Sequence, residues 1–238
     1  MAERLKQIIP IGGGGFYRDA ENLELEKYVL KQSGADKPRV CFIPTASGEP
    51  DHYVASFYAA FLKLGCQPSV LTFFKRTPDL RSLLLNQDVI YVGGGNTKSL
   101  IALWREWGVI ELLRDAWESG IVLTGVSAGA ICWFEQGLTD SFSDGLRPLD
   151  CLGFLPGSCC PHFDGEAQRR PSYHKALVAG EIAAGVAIED WTAIHYRDRE
   201  LHRVISSKRG ARAYSMRSVH GSVQEVALAV DFLAADQS

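Results

Sequence analysis

Ile121-Val122-Leu123-Thr124-Gly125-Val126-Ser127-Ala128-Gly129 is the stretch on which the reading of the fold turns. The apolar run Ile121–Thr124 reads as a buried strand, and the small, apolar Ala128-Gly129-Ala130-Ile131-Cys132 reads as the start of a helix. Between them lies Gly-x-Ser-x-Gly, the pattern of a nucleophile elbow, in which a strained turn lifts a serine hydroxyl to the C-terminal edge of a sheet. The flanking glycines suit such a turn because a Cβ at either position would meet the strand or the helix. Backbone N–H groups and the positive end of the helix dipole would favour a developing oxyanion there. Ser127 is therefore the first candidate catalytic residue, and a serine of this kind needs a base.

Upstream, strand and helix signals alternate. Gln7–Ile11 reads as a strand ending in Gly12–Gly15, with a helix over about 20–32; Arg39–Ile43 is a strand, and 51–64 a helix with Val54, Phe57, Phe61 and Leu62 on one face. Strands are expected at Ser69–Phe74 and Asp88–Val92, and two helices over 97–119. This alternation predicts an α/β fold, a mostly parallel sheet with helices on both faces, in which functional residues gather at the C-terminal strand ends. Beyond about residue 186 the pattern shifts to short β segments such as Trp191–Tyr196 and Leu201–Ile205, expected as antiparallel additions (186–217) to a single domain spanning 1–238.

Composition narrows the function class. The chain has 238 residues, a net charge of -3 and 46% hydrophobic content, enough for one sizeable core and without the basic stripe of a nucleic-acid binder. No run approaches a membrane span, and Met1–Lys6 lacks the apolar core of a signal peptide, so a cytoplasmic location is expected. The six cysteines form no C-x-x-C pair; Cys41 and Cys132 read as core residues, and Cys159-Cys160 as reduced thiols packed near a site. Apolar helices around Trp104, Trp107 and Trp117 suit either core packing or a homodimer interface.

Further candidates follow from the need for a base, an acid and an oxyanion site. Gly12–Gly15 departs from the G-x-G-x-x-G dinucleotide fingerprint. Gly93-Gly94-Gly95-Asn96-Thr97 can be a tight turn with Asn96 or Thr97 as helix N-cap, or backbone that approaches a substrate oxyanion. Of His52, His162, His174, His195, His202 and His220, His162 stands out, following an apolar region and Pro161 at an expected strand end. Glu135, Asp140 and Asp144 lie between Ser127 and His162 as candidates for the carboxylate that orients the imidazole, and Asp164 lies two residues past it.

Val92-Gly93-Gly94-Gly95-Asn96-Thr97, Gly125-Val126-Ser127-Ala128-Gly129-Ala130 and Pro161-His162-Phe163, in that order, resemble peptidase family S51, the dipeptidase E and cyanophycinase group. The resemblance implies a flavodoxin-like three-layer sandwich similar to class I glutamine amidotransferases, with serine where those enzymes carry an elbow cysteine. It implies cytosolic hydrolysis of short peptides, often with N-terminal aspartate, without metal or cofactor. Ser127 would be the nucleophile and His162 the base. Gly94, Gly95, Asn96 and Ala128 would form the oxyanion region, with Gly94 and Ala128 N–H as donors. Thr139-Asp140 resembles the family's acid segment after a short gap, which favours Asp140, with Glu135 and Asp144 open. Arg169 or Arg170 could read a substrate carboxylate. A cyanophycinase-like isopeptidase, an amidotransferase-type glutaminase (against which the serine counts) and a non-catalytic binding module on the same fold are the alternatives.

Overall fold

The computed structural model describes residues 5–234; residues 1–4 of the stretch inspected for a signal peptide lie outside them. Among the described residues fourteen strands build two sheets. The larger is eight-stranded. Its parallel part contains β1 (Gln7–Ile11), β5 (Val122–Val126), β4 (Val89–Val92), β2 (Arg39–Ile43) and β3 (Gln67–Val70), in that spatial order. On the other side of β1, β10 (Thr192–Arg197) runs antiparallel, followed by β11 (Glu200–Ser206) and β14 (Val230–Phe232).

The central strands β1, β2, β4 and β5 are almost wholly buried because both faces of the sheet are covered there, and their alternation divides two cores. Cys41 and Ile43 point to one face, with Leu84 of α3 (Leu80–Leu85), Leu100 and Trp104 of α4 (Thr97–Glu106) and Leu113 and Trp117 of α5 (Val109–Glu118). Val40 and Phe42 point to the other, with Leu25 and Val29 of α1 (Glu24–Gln32) and Phe57 and Phe61 of α2 (Asp51–Lys63). Trp104 and Trp117 are thus core residues, whereas Trp107 is exposed beside Phe73.

The second sheet departs from the expected single, mostly parallel sheet. It is six-stranded. It contains β6 (Phe134–Phe142), β7 (Gly145–Asp150), β8 (Leu155–Cys160), β9 (Gly185–Ile188), β12 (Ala213–Val219) and β13 (Ser222–Ala227). Pairs β6–β8 and β8–β9 are parallel, and the other pairs are antiparallel. The segment 186–217 is accordingly divided: β10 and β11 extend the first sheet, while β9 and β12 belong to the second. One face of the second sheet joins the α4–α5 core through Phe134, Leu155, Cys159 and Ile188. The other is covered by α7 (Arg169–Val178), through Cys160, Tyr173, Leu177 and Ala187. The adjacent Cys159 and Cys160 fall on opposite faces by strand alternation, each fully buried, and all six cysteines are free. Among the described residues no helix is long and apolar enough to cross a membrane.

Candidate active site

Because β1, β4 and β5 are parallel, their C-terminal ends deliver Gly12, Gly93 and Ser127 to one edge of the sheet. At the end of β5 the chain turns sharply: Ser127 has φ 57° and ψ -111°, a conformation that costs a non-glycine residue roughly 1–3 kcal/mol. Three hydrogen bonds hold it there. Its N–H donates to the Ile11 carbonyl (3.1 Å), and its carbonyl accepts from Ala130 N–H (2.8 Å) and Ile131 N–H (2.9 Å). A Cβ at Gly129 would run into the Val92 carbonyl of the neighbouring strand, so the second glycine of the motif is required by close approach. The helix that follows, α6, is four residues long (Ala128–Ile131). So short a helix has little macrodipole, and the local polarity comes from individual N–H groups of its first turn, Ala128 among them.

His162 arrives from the other sheet, just past β8, also with positive φ (53°). Its N–H donates to the Gly12 carbonyl (3.3 Å), so the end of β1 holds both Ser127 and His162 by main chain. Gly13 explains part of the glycine run. A Cβ there would run into Asp190 Oδ1 and stand 2.6 Å from His162 Nδ1. The stretch is a side-chain-free wall against the imidazole, consistent with its departure from a dinucleotide fingerprint.

The carboxylate on the imidazole is Asp190, in the turn between β9 and β10: His162 Nδ1 and Asp190 Oδ1 are 2.7 Å apart. Both side chains are mostly buried, and the imidazole beside it holds the Asp190 carboxyl below its ordinary 3.8. With Nδ1–H donated to Asp190, Nε2 is left as the basic nitrogen. Asp190 is fixed in turn, its N–H donating to Asp164 Oδ1 at 2.8 Å. Among the described residues no hydrogen bond links Ser127 Oγ to His162.

Asp140, the carboxylate favoured from the sequence, is a correction. It lies exposed on β6 with Oδ1 3.8 Å from Arg169 Nη2, away from the imidazole. Glu135 accepts the Gly157 N–H (2.8 Å), and Asp144 pairs with Arg147, so neither alternative meets His162 either. The segment 134–150 is bound up in the second sheet, whereas β9 ends beside β8 and leads its next turn across His162.

The glycine run at 93–95 divides its tasks. Gly94 abuts the elbow: a Cβ there would lie 3.3 Å from Ser127 Cβ and 3.8 Å from Oγ. Gly95 makes the turn at φ 134°, and Asn96 caps α4, its Oδ1 accepting Ser99 N–H at 2.8 Å. Gly94, His162, Val126, Tyr53, Tyr17 and Arg18 line a cavity of about 200 Å³. Arg170 is not among its lining residues. Its guanidinium pairs with Glu225 and stacks on Phe163 at 4.2 Å, while Arg169 is buried against Glu166 and the Leu138 carbonyl. Among the described residues the arginine that lines the cavity is the exposed Arg18, whose charge contributes to lowering the Asp190 pKa. His195 is fully buried between Gln7 and Tyr28, and burial pushes its pKa down to about 3.

The model for peptidase family S51 matches residues 8–204. The chain is 48% identical over 230 residues, 96% of this chain and all of the relative, to the protein named "Uncharacterized peptidase YgaJ" of Bacillus subtilis. It is 27% identical to Peptidase E of Shewanella denitrificans, with 84% of this chain and 86% of that one covered. Its fold is similar to the crystal structure of a peptidase from an acI-B1 Actinobacterium, with TM-score 0.70 at 19% identity and coverage of 95% and 96%. The chain belongs to peptidase family S51, and is a serine-type peptidase.

Proposed function

We propose that the enzyme hydrolyses short peptides through an acyl-enzyme on Ser127, with His162 as general base and Asp190 as the carboxylate that orients it. The observation that carries this reading is the 2.7 Å His162–Asp190 pair standing on the same end of β1 that anchors the strained Ser127. Ser127 Oγ attacks the peptide carbonyl carbon while its proton passes to His162 Nε2. The N–H groups of Gly94 and Ala128 receive the developing oxyanion. The tetrahedral adduct collapses as the C–N bond breaks, and the imidazolium returns the proton to the leaving amine. Water, deprotonated by the same imidazole, then attacks the acyl-serine and releases the acid. Asp190 stabilises the imidazolium and fixes its tautomer throughout.

A preference for N-terminal aspartate is the finer part of the proposal. The mouth of the cavity supplies a cation for the substrate carboxylate in Arg18, while Arg169 and Arg170 are occupied elsewhere. A cytoplasmic location accords with small, diffusible peptides as substrates. The test is a panel of dipeptides varying the N-terminal residue, run on wild type and Ser127→Ala. Hydrolysis of Asp-X dipeptides that vanishes in the variant is expected; equal hydrolysis by both proteins would refute the reading. Arg18→Ala should raise KM for Asp-X dipeptides by about tenfold, the scale of one charge-assisted contact, and leave neutral dipeptides unchanged. A uniform change across the panel would remove Arg18 as the selective cation.

A further inference from the structure

The oxyanion region contains a side chain that neither the sequence motifs nor the serine–histidine–aspartate scheme uses. Tyr53 of α2 is buried, with 6% of its surface exposed, yet it lines the cavity with Gly94 and His162. Its ring is held on several sides: stacked on Phe16 at 5.6 Å, against Tyr17 at 4.4 Å, and edge-on to Phe42 at 4.9 Å. This packing aims the hydroxyl at the glycine turn, where it accepts the Gly94 N–H at 3.5 Å. That is a long hydrogen bond, and Gly94 N–H is one of the two donors assigned to the oxyanion. The Tyr53 proton itself has no acceptor among the described residues, and a phenol can donate and accept at once. Burial pushes the Tyr53 pKa up from its ordinary 10.0, so the proton is retained at any working pH.

We propose that the Tyr53 hydroxyl is a third oxyanion donor and hence a catalytic residue. In the free enzyme it occupies the Gly94 N–H; when the tetrahedral adduct forms, it donates its own hydrogen bond to the same oxygen. The geometry permits this directly. An oxygen about 2.9 Å from Gly94 N and about 2.7 Å from the phenol oxygen closes a triangle on their 3.5 Å separation, both distances being ordinary for such bonds. No proton is transferred and no bond to Tyr53 is made. The inference rests on the Ser127 acyl-enzyme reading and adds a group to its transition state.

Tyr53→Phe keeps the ring and its packing and removes only the hydroxyl. The expected result is a fall in kcat of about 10- to 100-fold with KM within threefold, at or below the usual cost of one oxyanion donor. The melting temperature should stay within about 3 °C, the scale of a lost partly buried hydrogen bond. Labelling of Ser127 by a phosphonofluoridate, whose P=O takes the oxyanion position, should slow by a similar factor. Unchanged kcat and unchanged labelling in Tyr53→Phe, beside an active wild type and a dead Ser127→Ala, would overturn the role of Tyr53 alone. A loss carried entirely by KM would assign the hydroxyl to substrate binding and overturn it as well. Wild-type activity that survives Ser127→Ala would overturn the acyl-enzyme reading and this inference with it.

Discussion

Asp190 is the residue whose position a linear reading is least able to supply. It lies 28 residues past His162, outside every motif, and meets the imidazole only because β9 pairs with β8 before the chain turns back beside β1. Ser127 and His162 were legible because their surroundings are local: a strand breaking into Gly-x-Ser-x-Gly, and a proline–histidine step after an apolar run. Asp140, favoured for the likeness of Thr139-Asp140 to the family's acid segment, does not meet the imidazole, because that segment is bound into β6 beside Arg169. One signal did exist, since Asp190 stands two residues past the apolar run Val186-Ala187-Ile188, where a strand ends. The two aspartates separate cleanly by mutation. Asp190→Asn should lower kcat by about 10²- to 10⁴-fold, because the amide favours the wrong imidazole tautomer. Asp140→Asn, on an exposed side chain, should stay within about twofold of wild type, as surface changes away from a site do. Steady-state kinetics on one dipeptide checks both; the reverse ranking would return the acid to β6.

At the scale of elements, β1, β2, β4 and β5 were readable because both their faces are buried, which makes them apolar runs between helices, whereas the edge strand β3 is partly exposed and lies at Gln67–Val70 rather than at the expected Ser69–Phe74. The strands of the second sheet between residues 134 and 150 were missed because they are partly exposed and interrupted by Gly137, Gly145 and Pro148, so neither period stands out. Helix α1 contributes something its amphipathic pattern conceals. Glu26 is fully buried, and its Oε1 accepts the Phe16 N–H (2.8 Å), pinning the turn that carries the glycine wall. Burial raises its pKa from 4.5 to about 7. A carboxyl raised in the folded state supports folding fully below its unfolded pKa, and that support is lost as pH rises through the folded one. The wild type should therefore lose roughly 3 kcal/mol of stability between about pH 4 and pH 8 from this group alone. Glu26→Gln, which keeps an acceptor for Phe16 N–H and cannot ionise, should not. Denaturant unfolding of both proteins at several pH values measures the difference, and a stability gap independent of pH would contradict the assignment.

For the whole molecule, the two sheets share one core and one site. Trp133, Phe134 and Phe154 pack into the same cluster as Ile8, Leu123 and Ile194, so neither sheet closes its interior without the other. Unfolding followed by tryptophan fluorescence and by far-ultraviolet circular dichroism should give coincident transitions, and Trp133→Ala, which empties a fully buried position, should cost about 3–5 kcal/mol. Two separated transitions would mean that the sheets fold independently. The site depends on the same union: Ser127 ends a strand of one sheet, His162 follows a strand of the other, and Asp190 lies in the turn that joins them. The most direct test of that assembly is to trap the covalent intermediate that the proposed mechanism requires. Wild-type enzyme mixed with an activated aspartyl ester and quenched in acid should gain the mass of one acyl group, mapped by peptide sequencing to Ser127, and Ser127→Ala should gain none while keeping its melting temperature. An acyl group on another residue, or unimpaired dipeptide turnover by Ser127→Ala, would contradict the account.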